Sequence, residues 1–344
     1  MMNLDGMFHR ALNMISSCAI LTKSVGIVGT TRLAMLRIGL IDVTEVSIGE
    51  VGPLQVTRGA GMRRVMELTS LMRSGWSLYA SGSAELSMER DKAHYSAPSR
   101  LELFDPYACQ LIEKGWEFSK ADVSKNGTRF FITADLCSLY ETFECKVYSV
   151  PWTLQSKLVV DVGASIGDTA VYFALQGARV IAIEPNVDAV NLAREHVKMN
   201  GVEDRVRLVN SAVCYNTGTD YTETCMECSL SAIIGTEQPF LLKLDCEGCE
   251  FDVVRNDYDS LLRFSVLLIE WHEFSGKGSL RDLVRILQRD FYVEVLYGAG
   301  ESLTSRPRLN QLEMGMIRAL RKDFASTIGT PRSTGLPLLP SKRR

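Results

Sequence analysis

The 344-residue chain is longer than one ordinary domain, and its 46% apolar and 23% charged residues are those of a folded protein rather than a disordered one. A net charge of −3 excludes any general pull toward nucleic acid or anionic lipid, so no nucleic-acid partner is expected without a local basic patch. The dense basic runs, residues 318–322 and 341–344, read as solvated surface.

Nine cysteines is an odd count, which leaves at least one thiol without an intramolecular partner. No secretory signal is expected: Lys23 interrupts the apolar stretch 19–28, and Arg32 and Arg37 follow. No uninterrupted apolar run of about 18 residues is available for a transmembrane helix. Residues 14–40 read as an amphipathic helix that packs on the protein's own core or touches a membrane peripherally. The expected compartment is cytoplasmic, with largely reduced thiols.

In chain order, residues 46–58 alternate apolar side chains around Gly49, Gly52 and Pro53 and predict a hairpin. Residues 63–78 have helical periodicity, and residues 79–100, with Gly82 and repeated Ser-Ala pairs, read as a polar linker. Residues 116–123 and 128–133 flank Lys125-Asn126-Gly127, and Asn-Gly is the strongest short hairpin signal. From residue 157 short Val/Ile/Leu runs alternate with helix-period segments. Strands are expected at 158–162, 178–183, 206–213, 240–244, 266–269 and 292–296. Helices are expected at 169–176, 187–200, 250–255 and 280–288. This alternation means a mostly parallel sheet with helices on both faces. The expected fold is therefore α/β and Rossmann-like over residues 155–325. A smaller mixed α+β region would precede it at 1–100, a hairpin-containing lead-in at 101–154, and a flexible tail would follow at 326–344.

The first chemical motif is LVVDVGASIGDTAVYFAL, residues 158–175. A buried strand ends at Asp161, turns through Gly163 and Ala164, and enters a helix at Gly167 and Asp168. Gly163 permits the tight turn, and Gly167 is expected to let a ligand approach the helix start. The spacing D-x-G-x-x-x-G differs from the G-x-G-x-x-G that presents bare amides to a pyrophosphate. A cofactor bearing an amine and a sulfonium suits a carboxylate such as Asp161, directly or through water, which points to S-adenosylmethionine. The next strand ends in VIAIEPN, residues 180–186. Glu184 stands about 20 residues beyond Asp161, where an acid accepts from both ribose hydroxyls, with Pro185 and Asn186 beside it. Asn210, Ser211, Ala212 and Val213, ending the third strand, are expected alongside the adenine.

The third motif is LLKLDCEGCEFDVV, residues 241–254. Alternation places Lys243, Asp245 and Glu247 on one side of the strand and Leu242 and Leu244 on the other. The fifth strand, LLIEWHEF, sets Glu270 and His272 on one side. Charges at the end of a buried strand are costly unless used or paired, and ligands bind at this edge of open α/β sheets. His272, then Asp245 and Glu247, are the candidate bases for an acceptor hydroxyl, and Asp245 is also a candidate cofactor ligand. A salt-bridge network capping the sheet is the structural alternative.

With DVGASIGD (161–168), EPN (184–186), KLDCEGCE (243–250) and IEWHE (269–273), residues 140–300 resemble the FkbM family of methyltransferases. The resemblance implies a class I methyltransferase sheet, S-adenosylmethionine as cofactor, and O-methylation of a hydroxyl on a sugar, glycolipid or small natural product. Cys246 and Cys249 stand where the family usually has apolar or small residues. Two rival readings are a module that binds the cofactor without turnover and a nicotinamide-dependent oxidoreductase, although the latter should carry G-x-G-x-x-G. A nucleic-acid adenine methyltransferase would carry Asn/Asp-Pro-Pro-aromatic where Asp245-Cys246-Glu247-Gly248 stands.

Cys225-x-x-Cys228 and Cys246-x-x-Cys249 match the spacing of a four-cysteine zinc site. The second pair lies inside the strand-four motif, where a tetrahedral site would compete with the sheet. Ordinary small core residues are expected, with zinc or a disulfide as alternatives. No bound metal is expected; magnesium held by Asp245, Glu247 and Glu270 is the alternative.

Overall fold

A computed structural model describes residues 43–48, 51–57, 76–80, 85–90, 93–98, 106–119, 121–131, 135–213, 226–296 and 314–328, with isolated positions between 65 and 72. Residues 14–40, Cys225 and most of the tail lie outside the described residues. The chain divides into two compact units, Met1–Lys125 and Asn126–Arg344.

In the first unit, β1 (Val43–Ile48) and β2 (Val51–Thr57) pair antiparallel as the expected hairpin. Val65, Leu68 and Leu71 are buried at helical spacing. The residues expected to form a linker instead contribute to a three-stranded antiparallel sheet of β3 (Ser77–Ala80), β4 (Glu85–Arg90) and β5 (Ala93–Pro98). Leu86 and Met88 alternate there with Glu85, Ser87 and Glu89, a period-two pattern obscured by the Gly and Ser around it. The unit continues through α1 (Pro106–Glu113), β6 (Glu117–Phe118) and β7 (Asp122–Lys125). Asn126 and Gly127 then take φ values of 52° and 85°, the two-residue turn that Asn-Gly favours.

The second unit opens with β8 (Thr128–Phe131), the short α2 (Leu136–Leu139) and a π-helical turn, Tyr140–Cys145. Asp135 caps α2 by accepting from the Cys137 and Ser138 amides. The sheet and its helices follow in sequence: β9 (Leu158–Val162), α3 (Asp168–Leu175), β10 (Arg179–Glu184), α4 (Val187–Met199) and β11 (Val206–Val213). Next come β12 (Met226–Cys228), α5 (Leu230–Ile234), β13 (Leu241–Leu244), α6 (Cys249–Asn256), α7 (Tyr258–Leu261) and β14 (Val266–His272). The unit closes with α8 (Leu280–Leu287), β15 (Phe291–Leu296), β16 (Met314–Arg321) and α9 (Lys322–Thr327).

Strand order is β12-β11-β10-β9-β13-β14-β16-β15, and β16 alone runs antiparallel to its neighbours. β9 and β13 are buried at every position, as near-continuous apolar strands covered on both faces must be. The chain winds outward from β9 through β10 and β11 to β12, then crosses back to β13. The carboxyl ends of β9 and β13 therefore flank a topological switch point, the place where open α/β sheets hold ligands.

The basic run at 318–322 corrects the expectation of plain solvated surface. Most of it belongs to β16, where Arg318 pairs with Glu294 across to β15 at 2.5 Å. Lys322 donates to the Gln288 and Arg289 carbonyls at the end of α8.

Candidate active site

β9 delivers Asp161 and Gly163 to the switch point. Asp161 is wholly buried; its Oδ2 accepts from the Thr169 hydroxyl at 2.6 Å, and its Oδ1 lies 3.2 Å from the Lys243 ammonium. Lys243 is directly opposite Asp161 in the β9–β13 register, so the ion pair follows from strand pairing. Its Nζ also donates to the Gly163 carbonyl at 2.7 Å and lies 3.4 Å from Asp245 Oδ2. Burial alone would lower the lysine pKa, but Asp161, Asp245 and Asp168 outweigh it and raise it.

Gly163 has φ 77°, and a Cβ there would fall 1.6 Å from the Asp245 carbonyl oxygen. Only glycine lets β9 and the end of β13 approach this closely. The Gly163 and Ala164 amides both donate to the Ile183 carbonyl, tying the loop to β10. Gly167 has a packing role that the sequence did not show. A Cβ there would lie 2.8 Å from the Ala193 Cβ, so the bare glycine admits α4 against the start of α3. Asp168 is buried, and its Oδ2 accepts from Ser138 at 2.8 Å and Thr142 at 2.7 Å. Burial pushes its carboxyl pKa up, opposed by those two hydroxyls. Asp168 thus fastens the lead-in segment to the start of α3.

At the end of β10, Glu184 accepts from the Asn186 amide at 2.8 Å and the Ser165 amide at 3.0 Å. Asn186 caps α4 by accepting from the Asp188 and Ala189 amides, and Asn210 donates to the Glu184 and Pro185 carbonyls. Ala212 is buried in β11.

β13 and β14 supply the remaining charges. β13 ends at Leu244, so Glu247 lies beyond the strand in a turn at φ 54°, with its side chain 74% exposed. The turn still brings its Oε2 to 3.8 Å from His272 Nε2, and Asp245 Oδ1 lies 3.9 Å from the same nitrogen. His272 Nδ1 meets Glu250 Oε1 at 2.7 Å, with both side chains buried. A carboxylate only accepts, so Nδ1 carries the hydrogen and the neutral imidazole has its lone pair on Nε2. Burial would lower the His272 pKa, but Glu250, Glu247 and Asp245 raise it above the ordinary imidazole value.

Tyr148 is a central residue that sequence reasoning missed. Its hydroxyl lies 3.0 Å from both Asp245 Oδ2 and Glu270 Oε2. A phenol has one proton to donate, so the second contact needs a proton on a carboxyl group. Glu270 is suited to hold it: burial and the Asp245 charge push its pKa up to about 7, against the Tyr148 hydroxyl and His272. Burial and the same carboxylates hold the Tyr148 phenol well above its usual value. Ser138, Thr142 and the orienting role of Glu250 were also missed. Of these, only Glu250 lay within a motif.

Asp245, Glu250 and His272 each offer a ligand atom within 4.8 Å of the others, a donor set that could hold a divalent cation. It shares only Asp245 with the magnesium set weighed as an alternative, and Glu270 of that set is engaged with Tyr148. Cys246 and Cys249 form a disulfide with Cα atoms 5.4 Å apart. The expectation of ordinary core thiols is therefore corrected. The zinc alternative is also removed, because neither sulfur is available as a thiolate.

A doubly wound, mostly parallel α/β sheet with one antiparallel strand is a Rossmann-like fold. No protein-family model matches the chain, and no curated protein is significantly similar to it. Among solved structures it is similar to the precorrin-6y C5,15-methyltransferase of Geobacter metallireducens, at 14% identity, over 52% of this chain and 86% of that chain, with TM-score 0.35. It is also similar to the O-methyltransferase TomG of Streptomyces achromogenes in complex with SAM, at 12% identity, 56% and 82% coverage and TM-score 0.36. A third is TrmK of M. capricolum in complex with S-adenosyl-homocysteine, at 13% identity, 52% and 68% coverage and TM-score 0.35. Among the described residues no helix is long and apolar enough to cross a membrane.

Proposed function

We propose that this chain is an S-adenosylmethionine-dependent methyltransferase of the FkbM type, acting on a hydroxyl of a sugar, glycolipid or small natural product. The observation that carries the reading is the gathering of Lys243, Asp245, Glu270 and His272 at one switch point, beside the Gly163 turn and Glu184. The donors suit this cofactor. Glu184 uses two of a carboxylate's roughly four acceptor sites on amides, which leaves others for ribose hydroxyls. Asp245 is 25% exposed and can accept from the cofactor's amine. Asp161, being wholly buried, acts through Lys243 and the Gly163 carbonyl.

When bound, the cofactor would supply an electrophilic methyl group. The chain's own residues align the acceptor oxygen and remove its proton. His272 takes that proton at Nε2, with Glu250 fixing the ring and Asp245 and Glu247 stabilising the resulting imidazolium. A nicotinamide oxidoreductase is not favoured, because the first loop lacks G-x-G-x-x-G.

The test is incubation of the full chain with methyl-labelled adenosylmethionine and separate glycan, lipid, small-molecule, RNA and protein fractions. Label in a hydroxyl-bearing glycan, lipid or small molecule is expected. Label confined to RNA or protein would overturn the acceptor class.

A further inference from the structure

The Cys246–Cys249 disulfide has no place in the chemistry above, yet it closes the loop that carries that chemistry. Asp245 immediately precedes the ring, Glu247 lies within it, and Glu250 immediately follows. Inside the ring Glu247 and Gly248 take φ values of 54° and 110°, and a left-handed glutamate persists only where its surroundings hold it. The Cys246 amide donates to Glu250 Oε1 at 3.1 Å, the oxygen that also meets His272 Nδ1. The Cys249 amide donates to the Cys246 carbonyl at 3.3 Å. The crosslink and the histidine–carboxylate pair therefore share one small hydrogen-bonded unit.

The two sulfurs are also differently placed. Cys246 is partly exposed, whereas Cys249 is 6% exposed and forms the first residue of the eight-residue α6. Cys246 is therefore the sulfur that a reductant can reach, which makes Cys249 the leaving group.

We propose that Cys246–Cys249 is a thiol–disulfide exchange site through which a dithiol reductant sets the position of the acidic loop, with the oxidised form competent and the reduced form relaxed. One reductant thiolate attacks Cys246 Sγ, the S–S bond breaks, and Cys249 leaves as the thiolate. The reductant's second thiol then attacks the mixed disulfide and releases Cys246. The reductant becomes a disulfide, and its two electrons and two protons end on the two cysteines. Opening the ring frees Glu247 from its left-handed conformation and lets the Cys246 amide part from Glu250.

The exchange stands on its own, and only its effect on cofactor binding rests on the methyltransferase reading. The full chain is equilibrated across ratios of reduced to oxidised dithiothreitol, and the cysteines are alkylated and assigned by mass spectrometry. Amide hydrogen exchange over residues 245–250 is followed in the same samples. Cys246 and Cys249 should become alkylatable together, and the protection of their amides should fall by at least about tenfold. Adenosylhomocysteine affinity should fall in the reduced samples. Cys246→Ser/Cys249→Ser should resemble the reduced state under both conditions; if it does not fold, reduced and alkylated wild type takes its place. A disulfide that persists throughout, or converts while amide protection stays unchanged, would overturn the proposal. If the oxidised protein binds no adenosylhomocysteine, the functional reading fails while the thiol and exchange readouts still decide this one.

Discussion

Lys243→Met is the sharpest perturbation of the site's electrostatic frame. The lysine side chain is 2% exposed, and its ammonium contacts the Gly163 carbonyl at 2.7 Å, Asp161 at 3.2 Å and Asp245 at 3.4 Å. Methionine keeps the volume but leaves Asp161 as a buried carboxylate whose Oδ1 has no hydrogen-bond partner. Removing one partner of a buried pair costs about 3–5 kcal/mol, because the remaining charge is uncompensated. The lysine's folded pKa is raised, so its contribution is fully present below the unfolded value of about 10.4 and is lost only as pH climbs through the folded value. The destabilisation attributable to this lysine should therefore be alike at about pH 7 and pH 9. Guanidinium unfolding followed by circular dichroism measures it, and a thermal midpoint lower by about 6–20 °C is the corresponding shift for a unit of this size. Adding Asp161→Asn removes the stranded charge and should restore at least about 2 kcal/mol. A loss below about 1 kcal/mol in Lys243→Met, or strict additivity in the double variant, would refute the reasoning.

Gly163→Ala should destabilise by more than about 2 kcal/mol, since its Cβ meets the Asp245 backbone, whereas Gly201→Ala, with nothing within 4 Å, should cost only about 1–2 kcal/mol; thermal midpoints compare them. Glu184→Ala should weaken adenosylhomocysteine binding by about 1–3 kcal/mol in calorimetry, and unchanged affinity would remove it from the ribose site. His272→Ala should lower turnover by about 10²–10⁴ on the acceptor found by labelling, with cofactor affinity within about twofold. The wild-type rate should rise with pH through a midpoint above about 6.5, because the base must be unprotonated and its neighbours raise its pKa, and the variant should lose that limb.

The parallel strands other than β12 were legible because each is a short apolar run ending in a turn signal, and the expected 158–162 and 206–213 match β9 and β11 end to end; β12, only Met226–Cys228, carries no such run. β16 was not, because MGMIRALR mixes Arg318 and Arg321 into its apolar residues. Arg318 finds Glu294 only once β15 is folded beside it, and Arg321 reaches the Leu262 carbonyl at the end of α7 as well as its near neighbour Asp323. The charges of Lys243, Asp245, Glu270 and His272 announced a site from sequence. That Lys243 pairs with Asp161 required knowing that β9 and β13 are neighbours. Glu247 was assigned by extending strand alternation past Leu244, but its left-handed turn, not the pleat, brings it near His272. Tyr148 could not be found from sequence. It lies in a lead-in segment with no motif, and its two carboxylate partners are 97 and 122 residues away.

The most direct test of the account is a calorimetric titration of the purified full chain with adenosylhomocysteine, and in parallel with NAD. Binding of adenosylhomocysteine at one site with micromolar affinity, about −8 kcal/mol, and none of NAD is predicted. Tight NAD binding with no response to adenosylhomocysteine or adenosylmethionine would contradict it.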